Sequence, residues 1–401
     1  MTSATKYAAL DGPGATARRA AGAPEATLVL HEGLEAARAD WARLEASGTA
    51  SPYQAFAWQD AFARHALAPG ARVRVAVLHE AGTGRPIFLL PLAVGRRGPV
   101  TIATALGGKH ANFHLPLACP RAGPPLASDA LHRQLVAIGR GIGADAFAFA
   151  NLPRTWAGEP NPLALPGARR AASDAYWSAF ADRAADGPAA PLSGETRKKL
   201  RKKERGLAAL GEVSVSRATT RAEADRTLDA FLAFKTRRMR AQGLPDPFEE
   251  PATRAFLRAA CDPEVDGGPA IALWRLAVGE RIVATFGAAC DGVRASGMFI
   301  AFDEAPEIAR ATPGDLLLLA VVEALRTEGY ESFDLGVGEA RYKGHFCDRT
   351  EEMLELTLPV TLAGRAWAVQ ARLAGRLKRW AKASPRIMAA LAGARRLMRR
   401  G

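Results

Sequence analysis

The sequence predicts an α+β fold made of two halves, each a mixed sheet flanked by helices, with a basic C-terminal helix appended. Three observations lead there. A strand, two helices, a strand meander, a helix and a strand follow one another over residues 25–160, and the same order returns over residues 193–362. The chain has 401 residues and is 48% hydrophobic, enough for more than one sizeable core. Finally, the net charge of +13 sits at one end: from Leu356 to Gly401 there are 11 Lys or Arg and no Asp or Glu. Any partner chosen by positive charge is therefore expected at the tail first.

Residues 1–24, rich in Ala, Gly, Thr and Arg without periodicity, read as a disordered lead-in. Leu28 to Leu30 reads as a strand. Leu34, Ala37, Trp41 and Leu44 share one face of a first helix, and Ser51-Pro52 opens a second with Phe56 and Phe62 inward. Val73–Leu78 and Ile87–Val94 alternate as strands around Ala81-Gly82-Thr83-Gly84, and Val100–Leu106 extends the sheet into Gly107-Gly108. A helix over Leu131–Ile142 and a strand over Ala146–Ala150 complete the half. Residues 161–192, rich in Pro and Ala, read as a linker.

The second half begins with a basic helix over Glu195–Leu210, whose Leu200, Leu207 and Leu210 give it a packed face and leave a solvated charged one. A strand at Val213–Ser216 and helices at Ala222–Met239 and Thr253–Ala260 follow, parted by Pro245-Asp246-Pro247. Strands at Ala270–Val278, Arg281–Cys290 and Arg294–Ala301 form the meander. Pro313 suits a first helical turn, Leu317, Val321, Ala324 and Leu325 fall at helical spacing, and Gly329 ends the helix. A strand from Ser332 to Leu335 then enters a glycine-rich turn at Gly336 and Gly338, and Met353–Leu358 reads as the last strand. The repeat rests on element order alone.

The stretch from Arg310 to Phe346 draws most of the chemistry together. A helix start without bulky side chains leaves backbone N–H groups free, and the helix dipole favours an anion such as a pyrophosphate there. The strand and turn that follow bring Asp334, Glu339, Tyr342 and Lys343 toward one place. Thr312-Pro313-Gly314-x-Leu316-Leu317, the helix, Asp334-Leu335-Gly336-x-Gly338 and Tyr342-Lys343 together resemble the acetyltransferase family linked to cellulose biosynthesis (CelD/BcsL type). That family lies within the GNAT superfamily of acyl-CoA-dependent N-acyltransferases. The likeness extends to Ser51-Pro52-Tyr53-Gln54-x-Phe56-x-Trp58, Leu106-Gly107-Gly108 and Ser193-x-x-x-Arg197-x-x-Leu200-Arg201, and spans residues 25 to 360.

The resemblance implies a duplicated GNAT-like fold, acetyl-CoA or another acyl-CoA as co-substrate, and a small-molecule or glycan-precursor acceptor in polysaccharide or cell-envelope metabolism. It places the pyrophosphate on amides near Thr312, Pro313, Gly314, Asp315 and Leu316, with Arg310 as charge partner. The sequence departs from the superfamily's Gln/Arg-x-x-Gly-x-Gly/Ala pattern: Pro313 stands at the first glycine, Gly314 is one place late, and Asp315 brings an anion to an anion site. Acyl transfer to an amine needs a base, a donor for the oxyanion and a proton for the departing thiolate. Glu339 and Asp334 are candidate bases, Tyr342 the candidate acid, and Lys343 a candidate ligand for an acceptor phosphate or carboxylate. Asp334 reads equally as a strand-end carboxylate bonded to turn amides.

His110 and His114 read as loop residues that touch the acceptor, with no third ligand to suggest a metal. The four cysteines lie far apart with no paired spacing, which argues against a disulfide framework or a zinc knuckle and for a reducing compartment. With no apolar run of membrane length and no signal-like leader, a cytoplasmic protein is expected. Over residues 363–401, Ala366, Val369, Leu373, Leu377 and Trp380 recur at helical steps, with Arg372, Arg376 and Arg379 on another face. Two readings stand for this tail: a helix lying on an anionic membrane surface, or one docked on the protein's own sheet. The near-neutral body does not point to nucleic acid. Two rival functions remain at this level. One is a Fem-like aminoacyl transferase of peptidoglycan synthesis, from the likeness of Lys343-Gly344-His345-Phe346. The other is a non-catalytic binding module, from the departure at Pro313 and Asp315.

Overall fold

The structure is a computed structural model and describes residues 5–7, 26–47, 49–119, 128–180, 187 and 189–383. The first half contains strands β1 (Thr5–Tyr7) and β2 (Ala26–Glu32), then helices α1 (Arg38–Ser47) and α2 (Phe56–His65). Strands β3 (Arg72–Glu80), β4 (Pro86–Arg97), β5 (Val100–Ala105) and β6 (Leu117–Ala118) follow, then α3 (Ser128–Gly141) and β7 (Ala146–Pro153). A small hairpin, β8 (Thr155–Trp156) and β9 (Glu159–Pro160), leads to β10 (Arg169–Arg170) and β11 (Ala175–Ala179).

The second half runs α4 (Gly194–Ala208), β12 (Val213–Arg217), α5 (Arg221–Gln242), α6 (Pro251–Ala260), β13 (Ile271–Val278), β14 (Arg281–Cys290) and β15 (Arg294–Phe302). It continues with α7 (Pro306–Ala309), α8 (Pro313–Thr327), β16 (Ser332–Val337), α9 (Lys343–Phe346), β17 (Arg349–Glu351), β18 (Met353–Pro359) and α10 (Leu362–Ala383). Local signals fix the main helices. Thr220 caps α5 by accepting from the Glu223 amide and left-handed Gly243 ends it, while Ser193 caps α4 through the Thr196 amide.

Two sheets carry the repeat. The first has the order β1-β2-β3-β4-β5-β7-β18-β10, and the second β12-β13-β14-β15-β16-β11-β17. In each, an antiparallel meander meets one strand in parallel, β5 with β7 and β15 with β16, through a crossover helix, α3 or α8. Each parallel strand then takes an antiparallel partner from outside its own half. β18, expected as the last strand of the second half, pairs with β7 in the first sheet. The expected linker at 161–192 supplies β11, which pairs with β16 in the second sheet, and β10, which pairs with β18 in the first. Alternating apolar residues decide which face of a strand is buried but not which sheet it joins, so the exchange has no local signature. It ties each half to completion of the other.

One apolar core runs through both halves: Trp41, Tyr53, Trp58 and Phe113 of the first lie in the same cluster as Phe231, Phe256 and Phe299 of the second. A second cluster lies beneath α8 and a third beneath α3. The expected lead-in lies outside the described residues except for β1, which pairs with β2 at the sheet edge. Within α10, Gly364, Trp367 and Ala368 face the first sheet, with Trp367 packed on Val100, Ile102 and Ala146. A Cβ at Gly364 would collide with the Asp145 carbonyl, so glycine permits this close approach. The same helix leaves Leu362, Val369 and Leu373 exposed at 79%, 54% and 59%. The remaining expected tail residues, from Arg376 onward, lie outside the side chains described. No helix of the described residues is long and apolar enough to cross a membrane.

Candidate functional site

Strands β15 and β16 are paired only where Arg294, Ala295 and Ser296 lie beside Ser332, Phe333 and Asp334. Beyond that point they part. The register between β14 and β15 shifts between Gly287/Phe299 and Ala288/Gly297, and the extra residue turns β15 away from its parallel neighbour. The first half has the same opening between β5 and β7, paired only at Ile102 and Ala103, but fills it with its own chain. There the His114 amide donates to Asn151 O (2.8 Å), the His114 ring pairs through Nδ1 with Ala150 O (2.8 Å), and Asn151 Nδ2 donates to Ala111 O (2.9 Å). In the second half the corresponding carbonyls, Gly336 O and Val337 O, take the Lys343 ammonium at 3.2 and 2.9 Å.

Asp334 lies at the fork. It is fully buried and accepts from Arg294 Nε (2.7 Å), Ser296 Oγ (2.7 Å) and the Gly336 amide (2.9 Å). Burial pushes its carboxyl up, while Arg294, Ser296 and Gly336 pull it back. The Arg294 guanidinium lies 4.0 Å from the Trp156 ring centre, with Trp177 and Phe113 at 5.3 and 5.4 Å. Ser296 Oγ also lies 2.9 Å from Tyr53 Oη, which accepts from Asn112 Nδ2 at 2.7 Å; Asn112 donates to Gly297 O as well, at 3.0 Å. Two residues of the first half thus clamp the fork. Gly336 has φ +68° and a Cβ there would strike Asn112, so only glycine fits. Tyr53 is delivered by the Ser51 capping box, in which Gln54 Oε1 accepts from the Ser51 amide and Gln54 Nε2 reaches Phe113 O.

Helix α8 begins at the same end of the sheet, on the opposite face. Thr312 precedes it in a left-handed conformation (φ 48°, ψ 59°), and Lys203 of α4 donates to Thr312 Oγ1 at 3.1 Å. Pro313 and Gly314 are buried, and a Cβ on Gly314 would meet Phe302 and Ile300, so this glycine serves helix-on-strand packing. Asp315 is half-buried; burial raises its carboxyl, and His345 and Lys203 draw it back. Arg310 and Glu339 are exposed, and Leu316 is buried in the core. Tyr342 is half-buried. Burial raises its phenol, with Cys347 and Asp315 adding to the rise and Arg238 opposing it. Lys343 is buried, which lowers its ammonium, while Asp334 and Cys347 favour the charged form.

The structure therefore gathers Thr312, Asp315, Tyr342 and Lys343 around one end of the second sheet, with Arg310 and Glu339 at its surface. Asp334, a candidate base, has no accessible surface: all that it touches braces the fork and the turn. Arg294, Ser296, Tyr53, Asn112 and Lys203 were not singled out in the sequence as site residues. Of these, Lys203 left a trace in its step from Leu200 and Leu207, and Tyr53 in the Ser51-Pro52-Tyr53-Gln54 motif.

His110 and His114 do not meet. His114 is buried inside the first half, whereas His110 lies between the halves, its ring 6.0 Å from Phe62 and 5.6 Å from Phe256. No group of His, Cys, Asp and Glu among the described residues could hold a metal ion. Burial pulls the His110 imidazole down to about 4, Lys109 pushes the same way and Glu250 opposes. The folded state thus favours neutral His110, and the stability this contributes is full above the ordinary histidine value and lost as pH falls from there toward 4. Denaturant unfolding at pH 7 and pH 5 should differ by about 1–2 kcal/mol through this ring. The substitution His110→Gln should remove that part of the slope; an unchanged slope would assign the pH response to other groups.

Residues 194–344 match the family model described as an acetyltransferase (GNAT) domain. No curated protein matches the chain. Among solved structures, FemX is similar at 10% identity with a TM-score of 0.58, over 84% of this chain and 99% of that one. A conserved protein of unknown function from Bacteroides thetaiotaomicron is similar at 13% identity with a TM-score of 0.53, over 82% and 99%. At such identities the likeness bears on fold alone. The chain is a duplicated α+β protein of GNAT-like fold whose second half carries the GNAT acetyltransferase-domain match.

Proposed function

We propose that the second half transfers an acyl group from acetyl-CoA or a longer acyl-CoA to an amine or hydroxyl acceptor. One observation carries this reading: β15 and β16 part beyond Ser296 and Asp334 beside the start of α8, within the segment that matches the acetyltransferase domain. The start of α8, with Lys203 and exposed Arg310, suits the donor's pyrophosphate. Burial raises the Asp315 carboxyl, and His345 and Lys203 pull against that rise. Tyr342 keeps its proton at neutral pH and is the group we assign to protonate the departing thiolate. Lys343 holds the turn carbonyls of Gly336 and Val337 and so fixes the end of β16. The motifs from Thr312 to Lys343 and from Ser51 to Trp58 support a cellulose-biosynthesis (CelD/BcsL) type, hence a polysaccharide or cell-envelope acceptor.

A Fem-like aminoacyl transferase is the second reading, favoured by buried Lys343 in Lys343-Gly344-His345-Phe346. Calorimetric titration separates the two. The full chain should bind acetyl-CoA, and Lys203→Glu, at a partly exposed position, should weaken it at least tenfold, as expected when a phosphate contact is reversed in charge (~1.4 kcal/mol or more). Unchanged affinity moves the donor site away from α8. Binding of aminoacyl-tRNA with no response to acyl-CoA selects the second reading. We also infer that the exposed apolar face of α10 and the basic residues after it rest on an anionic membrane surface.

A further inference from the structure

A groove of about 540 Å³ runs between α5 and α6, on the face of the second sheet opposite α8. Its walls carry four arginines, Arg237 and Arg240 from α5 and Arg254 and Arg258 from α6, and one acid, Asp229, with Leu232 and Thr236 between them. Their partners do not cancel them equally. Arg258 is neutralised by Asp225 and Asp229, both at 2.7 Å. Arg237 reaches Asp303 only at 3.5 Å, on a carboxylate that Arg281 holds at 2.6 Å. Arg254 spends Nε on a neutral group, the Phe248 carbonyl at 2.9 Å, and the Arg240 side chain has no hydrogen bond or ion pair among the described residues. Asp246, the nearby loop carboxylate, is taken by the Thr236 hydroxyl and the Phe248 amide. The groove therefore presents Arg240 and Arg254, with Arg237 beside them, to whatever enters.

The position gives this charge a use. Arg237 reaches Asp303 and Arg238 lies over the Phe302 ring (5.5 Å), so the Arg237 end of the groove lies at the far end of β15, beyond the point where it leaves β16. Guanidinium groups fanned around a groove match the multiple oxygens of a phosphate better than a single carboxylate. We propose that the α5–α6 groove binds a phosphate or pyrophosphate group carried by the acceptor, so that donor and acceptor anions are held on opposite faces of one sheet. That the anion belongs to an acceptor rests on the acyl-transfer reading; the anion site itself does not.

Calorimetry of the full chain with inorganic pyrophosphate separates the two sites. Two binding events are expected. Arg240→Glu with Arg254→Glu should remove one, weakened at least tenfold, and leave the other, which Lys203→Glu removes in turn. Circular dichroism and Tm identical to the parent protein establish that the variants fold. A single event lost in Lys203→Glu but untouched in the arginine double variant overturns the groove and leaves the donor site standing. A single event lost only in the arginine double variant upholds the groove and removes the donor site from α8. Uridine diphosphate and phosphatidylglycerol vesicles, tested as separate arms in a Val369→Glu and Leu373→Glu background that removes the α10 contact, distinguish a soluble phosphate from a lipid headgroup by which of them the arginine substitutions weaken.

Discussion

Asp334→Ala is expected to lower the stability of the protein by about 3–5 kcal/mol, the range for breaking a buried ion pair from one side. Among the described residues the carboxylate is the only acid paired with the Arg294 guanidinium, which lies among Trp156, Trp177 and Phe113 on a side chain that is 11% exposed. The Gly336 amide would lose its acceptor, and Ser296 would keep only Tyr53. Urea unfolding followed by far-ultraviolet circular dichroism measures the loss. Two controls separate charge from shape. Asp334→Asn keeps acceptors for Ser296 and Gly336 and should fall between the parent and Asp334→Ala. Arg294→Met combined with Asp334→Leu should recover much of the loss, because a buried pair replaced whole leaves no stranded charge. A loss below about 1 kcal/mol in Asp334→Ala would mean that water reaches Arg294 and that the fork is open from the first half.

The sequence made most elements legible and their exchange illegible. Helices α5 and α8 announce themselves by apolar spacing, a capping residue or Pro at the start and Gly at the end. Strands β13, β14 and β15 do so by short turns between apolar runs. β11 does not, because Ala175 to Ala179 is short, lies between Pro- and Ala-rich stretches, and owes its strand conformation to β16 far along the chain. The site divides in the same way. Asp334, Tyr342 and Lys343 stand out as polar residues around a glycine turn, but their roles depend on residues with no local signal. Arg294-Ala295-Ser296 reads as any alternating strand, and Tyr53 and Asn112 reach the fork only because the halves pack through Trp58, Phe62 and Phe256. Lys203 is different. In a run of seven basic residues, Arg197 and Lys203 are the two that turn partly inward, each one helical step from Leu200, so helical spacing narrows the choice to this pair and the contact with Thr312 marks Lys203.

The tail helix docks one face on the protein's own sheet and leaves another face open. Gly364, Trp367 and Ala368 dock on the first sheet, while Leu362, Val369 and Leu373 point away from it. Removing α10 would uncover Val100, Ile102 and Ala146, so a truncation cannot separate anchoring from folding. Nor is Trp367 a clean reporter, since protein already covers part of it. Substitutions on the outward face avoid both problems. The full chain should cosediment with phosphatidylglycerol vesicles at low salt, release at high salt and ignore neutral vesicles. Basic residues contribute about 1 kcal/mol each near such a surface, and screening shortens their reach to about 8 Å at physiological ionic strength. Val369→Glu with Leu373→Glu should abolish sedimentation and leave Tm unchanged, because neither side chain packs on the sheet and each would bring an acid to an anionic surface. Sedimentation that persists in this double variant would show that the basic residues alone hold the membrane. Failure of the parent protein to sediment at low salt would leave the outward face of α10 to a protein partner.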